Sequence, residues 1–210
     1  MNFPLCMDIH ALYIRSMILQ NLQGKEIILA SKSPRRQQLI KGLGIDINIQ
    51  TREVDESFDE NELKRERVAR FLAEKKADAF SAELREDQIV ITGDTTVYLD
   101  GVILNKPEDR EDALRMLGML SGKTHTVITG VCILSTSKKI VLHDETDVTF
   151  GDLTQEEMEY YVDVYKPFDK AGSYGAQDFI GFIGIQDMKG SFYNVMGFPL
   201  HKIYAALKTF

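Results

Sequence analysis

Between a short apolar run, Glu26 to Ala30, and the amphipathic stretch that follows it lies Ser31-Lys32-Ser33-Pro34-Arg35-Arg36. Ser33 is a natural helix N-cap and Pro34 a natural first helical residue, so Arg35 and Arg36 fall in the first turn of a helix. The helix macrodipole disfavours positive charge there by roughly 0.3–1 kcal/mol per residue. An anion bound at the helix start reverses that sign, because free N–H groups, hydroxyls and guanidinium forks then converge on it. The alternative is a basic helix start lying in solvent. Neither G-x-x-x-x-G-K-S/T nor G-x-G-x-x-G occurs, so no common phosphate-loop fingerprint accounts for the pattern.

A second candidate is Thr92-Gly93-Asp94-Thr95-Thr96. An acid that follows a buried apolar strand, beside a glycine, stands where metal-binding or proton-accepting carboxylates often stand. A plain turn is the alternative reading. Glu56, after Val54-Asp55, offers a second hard oxygen ligand for magnesium. Lys76 and Lys106 are candidate phosphate partners. On the helical wheel Lys75 lies nearer the centre of the Val68, Leu72, Ala79 stripe and Lys76 at its edge, so periodicity does not choose between the two. The four histidines show no H-E-x-x-H or close i, i+4 pairing, which argues against a zinc enzyme. Ser173 and Ser191 lie near glycines but outside any G-x-S-x-G elbow. Phe168, Tyr174, Phe179, Phe182, Phe192 and Tyr193 read first as packing, with base stacking as the lesser reading.

These side chains need strands and helices to hold them. Glu26–Ala30 and Gln88–Thr92 have the short, continuous apolar character of buried strands. Val97–Leu104 folds over Asp100-Gly101, a hairpin signal. Thr126–Leu134, Lys139–His143 and Asp147–Phe150 read as three further strands. Helices are predicted over Pro34–Leu43, Glu60–Glu83, Asp109–Leu120, Gln155–Tyr165 and Leu200–Leu207, the fourth opened by a capping box, Thr154 with Glu157. From Asp169 onward glycine crowds the chain, as in loops and short strands. The mixture predicts an α/β protein with a mixed sheet.

The whole-chain numbers exclude several classes. The chain has 210 residues and a formal charge of −7, which argues against a duplex-binding protein but not against a small anionic ligand held by local lysines and arginines. Cys6 and Cys132, the two cysteines, cannot build a disulfide framework or a structural zinc site. No apolar run approaches the roughly 18 residues of a membrane span. Residues 1–23 carry an apolar patch without the positive start of a secretory signal, so export is rejected and the cytoplasm is the expected location. That stretch is expected to be an ill-ordered or helical extension, or to lie ahead of a true start at Met7 or Met17, with 24–210 as the catalytic domain.

Taken in order, the motifs resemble the Maf family of nucleoside triphosphate pyrophosphatases. The matching pieces are Leu29-Ala-Ser-x-Ser-Pro-Arg-Arg36, Val54-Asp-Glu56, Leu72-Ala-x-x-Lys-Ala77, Gly93-Asp-Thr95 and Asn105-Lys-Pro107. They continue with Leu120-Ser-Gly-x-Thr-His125, Thr146-x-Val-x-Phe150, Asp169-Lys-Ala-Gly-x-Tyr-Gly-x-Gln177 and Gly190-Ser-x-x-Asn-Val-x-Gly-x-Pro-Leu200. The resemblance covers nearly everything from Ile27 to Leu207. It implies a long twisted mixed sheet with two lobes flanking a deep cleft. It implies hydrolysis of a nucleoside triphosphate to the monophosphate and pyrophosphate by water attack at the α-phosphorus, assisted by a divalent metal, magnesium first and manganese as a substitute.

By the same resemblance Ser31, Arg35, Arg36, Lys76 and Lys106 hold phosphates, Asp94 is the catalytic acid taken as proton acceptor, and Glu56 with Asp94 faces the metal. The choice of Lys76 over Lys75 comes from the family motif. An unperturbed aspartate is a poor general base at neutral pH, so Asp94 is expected to act partly through magnesium. Arg35, Thr95 and Gln177 resemble the branch that acts on dTTP and UTP, with modified pyrimidine triphosphates as further expected substrates, and a carboxamide can offer donor and acceptor to a pyrimidine edge. Two departures stand out: Thr92-Gly93 where the family usually shows Gly-Ala, and Asp178 where it usually shows glycine, a charge beside the presumed base pocket. Family members tend to be homodimers. The alternatives are a pyrophosphatase for another noncanonical nucleotide, or a nucleotide-binding regulator of septum formation with little catalysis.

Overall fold

A computed structural model of the chain describes residues 19–58, 63 and 66–210. Its centre is a seven-stranded mixed sheet in the order β2-β1-β3-β5-β6-β7, with β4 added to β3. The strands are β1 (Glu26–Leu29), β2 (Asn48–Ile49), β3 (Gln88–Leu99), β4 (Val102–Leu104), β5 (Thr124–Leu134), β6 (Lys139–Phe150) and β7 (Ile185–Lys189). β1 runs parallel to β2 and β3, and the other pairs are antiparallel. The helices are α1 (Pro34–Gly42), α2 (Glu66–Asp78), α3 (Arg110–Leu120), α4 (Gln155–Tyr165), α5 (Phe179–Gly184), α6 (Phe192–Val195) and α7 (Leu200–Leu207).

Local signals set most of these boundaries. Ser33 caps α1 by accepting from Arg36 N, with Pro34 at the first helical position. The capping box of α4 is complete: Glu157 N donates to Thr154 Oγ1 at 3.3 Å, and Thr154 N donates to Glu157 Oε2 at 2.8 Å. The expected helix Glu60–Glu83 is shorter at its end. α2 stops at Asp78 and Ser81–Glu83 forms a separate 3-10 turn, while residues 60–62, 64 and 65 lie outside the described residues.

Two predicted breaks are absent. Thr92–Thr96 does not interrupt its strand: β3 runs unbroken for twelve residues, and Asp94 sits in mid-strand opposite Gly130 of β5. A threonine-rich polar stretch is good strand material when one edge is paired, so polarity alone misled the reading. Likewise Lys139–His143 and Asp147–Phe150 are one strand, β6. β2, only two residues long, gave no signal above background.

The pairing of β3 creates the opening that matters. On one edge it pairs with β1 over Gln88–Ile91 and with β4 over Val97–Leu99, leaving residues 92–96 with no strand partner there. The opposite edge is covered by β5 throughout this stretch. Two hydrophobic cores flank the gap. One gathers Leu29, Ile40, Ile91, Phe198 and Ile203, and the other gathers Val97, Leu117, Phe150, Tyr161 and Ile180. Leu19 and Leu22 pack on the first core, and Asn21 Nδ2 donates to Leu207 O at 2.6 Å, tying residues before β1 to the end of α7. Met1 to Ile18, most of the predicted extension, lie outside the described residues.

Candidate active site

Two adjoining cavities of about 730 Å³ and about 110 Å³ open at the gap in β3. Ser33, Arg35, Arg36, Lys76, Lys106 and Asp169 line both, so a ridge of cations divides them. Ser31 and Glu56 belong to the larger cavity, and Asp94, Thr95 and Gln177 to the smaller. Every site residue named from the sequence thus borders one cavity or the other.

Lys76 is the hub. Its ammonium lies 2.7 Å from Asp94 Oδ1 and 3.2 Å from Glu56 Oε1, with the lysine and Asp94 side chains 18% and 14% exposed. The ambiguity between neighbouring lysines resolves by direction. Lys75 turns outward to Asp55 Oδ2 at 3.6 Å and Ser57 O at 3.4 Å, fastening the loop that carries Glu56 to α2. α2 itself lies hard against the sheet. A Cβ at Gly130 would fall 2.3 Å from the Ala69 carbonyl carbon and oxygen, so only glycine lets the helix come this close. One step along, Thr92 Oγ1 donates to Ala73 O at 2.5 Å, a bond the usual glycine of the resemblance could not make.

Arg35 and Arg36, adjacent in sequence, do different things. Arg35 Nη1 reaches across to Asp169 Oδ2 at 2.8 Å, a partner 134 residues away that spacing could not reveal. Burial by itself would raise the Asp169 carboxyl, and the hydrogen bonds and charges of Lys170 and Arg35 override it, holding the pKa below its ordinary value. Arg36 faces inward. Its Nε donates to Gly197 O at 2.8 Å, Nη1 to Gly93 O at 2.8 Å and Nη2 to Thr95 Oγ1 at 2.9 Å. Burial lowers its pKa from the ordinary arginine value, with the Asp94 charge opposing that shift. Arg36 therefore takes the free carbonyl on the unpaired edge of β3 and binds it to the loop at Gly197.

Replacing Arg36 with methionine removes all three bonds and is expected to destabilise the fold by at least about 2 kcal/mol. Arg35→Met breaks a half-exposed pair and is expected to stay within about 1 kcal/mol of wild type. Urea unfolding of the two variants checks the contrast.

The hydroxyl of Thr95 is engaged on both sides. It accepts from Arg36, and because Thr129 Oγ1 donates to Asn194 O at 3.0 Å, the 3.0 Å contact between the two hydroxyls runs from Thr95 to Thr129. Gln177 is the opposite case: its Oε1 is buried without a hydrogen-bond partner among the described residues, in the wall of the smaller cavity. Lys106 borders both cavities and makes no hydrogen bond or ion pair among the described residues. Ser31, buried, accepts from Ser33 N at 3.2 Å and so shapes the turn into α1. His125 takes no part: it is buried against Tyr174 and Phe150, and burial pulls its pKa down to about 4, so it stays neutral.

Asp169, Lys170, Tyr161 and Gly130 were not singled out by sequence. Asp169 and Lys170 stood inside a quoted motif, but nothing local marked their partners. Among the described residues no group of three or more metal-ligating side chains gathers. Two carboxylate oxygens, from Glu56 and Asp94, do converge on one point, at which the Lys76 ammonium lies. Within the same residues no helix is long and apolar enough to cross a membrane.

Comparison with known proteins gives the family of this chain. A family model described as Maf-like protein matches residues 26–210. A dTTP/UTP pyrophosphatase of Phocaeicola vulgatus is 47% identical over 191 residues, covering 91% of this chain and 99% of the relative. Proteins of the same name from Bacteroides thetaiotaomicron and Christiangramia forsetii are 47% and 48% identical over 192 residues, covering 91% of this chain and 99% and 97% of theirs. A solved nucleoside-triphosphatase / dITP/XTP pyrophosphatase from Mycobacterium abscessus superposes with a TM-score of 0.38 at 12% identity, over 61% of this chain and 75% of that one, too loosely to argue from.

Proposed function

Since this chain belongs to the Maf-like family, we propose that it is a nucleoside triphosphate pyrophosphatase that cleaves dTTP and UTP to the monophosphate and pyrophosphate, with residues 24–210 as the catalytic unit. The observation that carries the substrate reading is Gln177. A buried carboxamide oxygen without a partner costs about 1–3 kcal/mol unless something in the cavity satisfies it. The edge of uracil or thymine does so, presenting one N–H flanked by carbonyl oxygens to an amide that can donate and accept.

With the base in the smaller cavity, the phosphate chain crosses the cationic ridge into the larger one. Arg35, Lys76 and Lys106 meet it there, and phosphoryl-type transfer needs chiefly this positioning and charge neutralisation. Arg36 contributes its charge and the rigidity of the ridge, holding Gly93 and Thr95 beside the reacting acid. Lys76 moves one of its three N–H donors from carboxylate to phosphate, leaving Asp94 free to take a proton from the attacking water. Glu56 and Asp94 are the residues that would hold a divalent cation, magnesium by preference: two carboxylates plus substrate phosphate and water make a magnesium donor set. Bound there, the ion supplies neutralisation of phosphate oxygens and acidifies a coordinated water.

Pyrophosphate release from dTTP, UTP, CTP, 7-methyl-GTP and ITP tests the reading. Release is expected from dTTP and UTP, with the other three at least about tenfold slower. Gln177→Ala is expected to lower kcat/KM for both pyrimidines by about tenfold, the equivalent of one hydrogen bond. Release from a different nucleotide alone would discard the dTTP and UTP reading. Binding without any release would make the protein a regulator.

A further inference from the structure

The acid next to Gln177 is placed with care. Asp178 Oδ2 accepts a hydrogen bond from the Tyr161 hydroxyl at 3.0 Å and lies 3.6 Å from Lys170 Nζ. The same hydroxyl accepts from Gly175 N at 3.1 Å. One buried phenol on α4 therefore joins both ends of the Gly175-Ala-Gln-Asp178 turn, which its own Asp178 N to Gly175 O bond closes at 3.0 Å. A Cβ at Gly175 would fall 2.5 Å from Asp178 Oδ2, so the carboxylate takes the space a side chain there would need. Tyr161 is wholly buried, and neither it nor Asp178 lines the smaller cavity, whereas Lys170, Gly175 and Gln177 do. Burial, and then the Asp178 charge, raise the phenol's pKa above its ordinary value, so the hydroxyl keeps the proton that the clamp requires.

We propose that Tyr161 and Asp178 form a positioning clamp that sets nucleobase selectivity by fixing the turn from which Gln177 faces the smaller cavity. The inference rests on the proposed role of Gln177 as the base-reading residue. A carboxamide reads a base edge through directional hydrogen bonds, so reading requires that its backbone hold donor and acceptor within reach of that edge. The clamp does this without touching the base. It also turns the charge of Asp178 towards Lys170, whose ammonium is 2.9 Å from Asp169 Oδ1.

The test compares kcat and KM for UTP, CTP, dTTP and dCTP in wild type, Tyr161→Phe and Asp178→Asn. Tyr161→Phe is expected to shrink the ratio between the best and worst nucleotide by about tenfold, one hydrogen bond's worth. The change is expected mainly in KM for the preferred base, with kcat within about threefold. Asp178→Asn keeps an oxygen that accepts from Tyr161, so it is expected to retain the ratio. If Tyr161→Phe fails to fold, Asp178→Ala removes the other half of the clamp at a partly exposed position and is expected to shrink the ratio equally. An unchanged ratio in the clamp-breaking variant, or equal losses in kcat for every nucleotide, overturns the clamp. Because the ratio is read from whichever nucleotide wild type prefers, a wild-type preference for CTP or dCTP overturns the dTTP and UTP reading alone.

Discussion

Asp94→Asn is expected to lower pyrophosphate release from dTTP by about a thousandfold while nucleotide affinity is kept or tightened. Asparagine has the shape of aspartate but cannot take a proton or attract a cation, so it removes the acceptor and leaves the strand undisturbed. The mid-strand position makes this a clean change, since β3 and β5 continue to pair around it. In wild type the Lys76 ammonium is shared between Asp94 and Glu56, and a phosphate must compete with both carboxylates for it. In the variant the Asp94 charge is gone and the half-exposed Glu56 is the competitor that remains. That is why KM is expected to hold or fall as kcat collapses. Steady-state rates with dTTP, together with equilibrium binding of the nucleotide, separate the two quantities. Full turnover by the variant would remove Asp94 from the chemistry.

The same geometry explains which parts of the site could be read from the chain. The Ser31–Arg36 segment was legible because its oddity is local: an N-cap and a proline fix a helix start, and two arginines then stand where charge is unfavourable. Asp94 was found for the right neighbourhood and the wrong local structure. What stands beside it on one edge of β3 is absence of a strand, and pairing gaps leave no trace in sequence. Lys75 and Lys76 could not be separated by periodicity because both flank one apolar stripe. Only the approach of α2 to the sheet decides that Lys76 turns in. Arg36 and Thr95 read as ligand residues, and their side chains also hydrogen-bond to the protein, a fact that depends on Gly197, Thr129 and Asn194, all remote in sequence. Tyr161 looked like one more aromatic on an amphipathic helix. Its hydroxyl acquires meaning only when the Gly175–Asp178 turn folds over it. Asp178, which had looked like an intrusion beside the base pocket, becomes part of the wall behind it.

Gly130 carries the second large effect, and it does so through backbone alone. The position has no side chain because α2 occupies its space, with the Ala69 carbonyl carbon and oxygen 2.3 Å and Arg70 N 2.5 Å from where a Cβ would stand. Those atoms are main chain inside a helix, so they cannot swing aside as a side-chain tip would. Gly130→Ala must lift the helix or bend the strand, at a cost of about 3 kcal/mol, the upper end of overpacking penalties, and Gly130→Val must cost more. For a protein of this size the alanine variant is then expected to melt roughly 6–12 °C lower. The loss extends to the site. Lys76 stands seven residues beyond Ala69 on α2, about 10 Å along the axis, and its 2.7 Å contact with Asp94 requires the helix to stay seated. A lifted helix also strains the Thr92 bond to Ala73 O, an anchor between Gly130 and Lys76 made by a side chain of β3. Activity in the folded fraction of Gly130→Ala is therefore expected to fall along with stability, by at least about tenfold, although the residue touches no substrate. Thermal melting and rates at a temperature where the variant is fully folded measure the two effects independently. Wild-type stability in Gly130→Ala would mean that α2 is not pressed on the sheet at this point. A stable loss of about 3 kcal/mol with an unchanged rate would mean that Lys76 finds Asp94 without the helix to guide it.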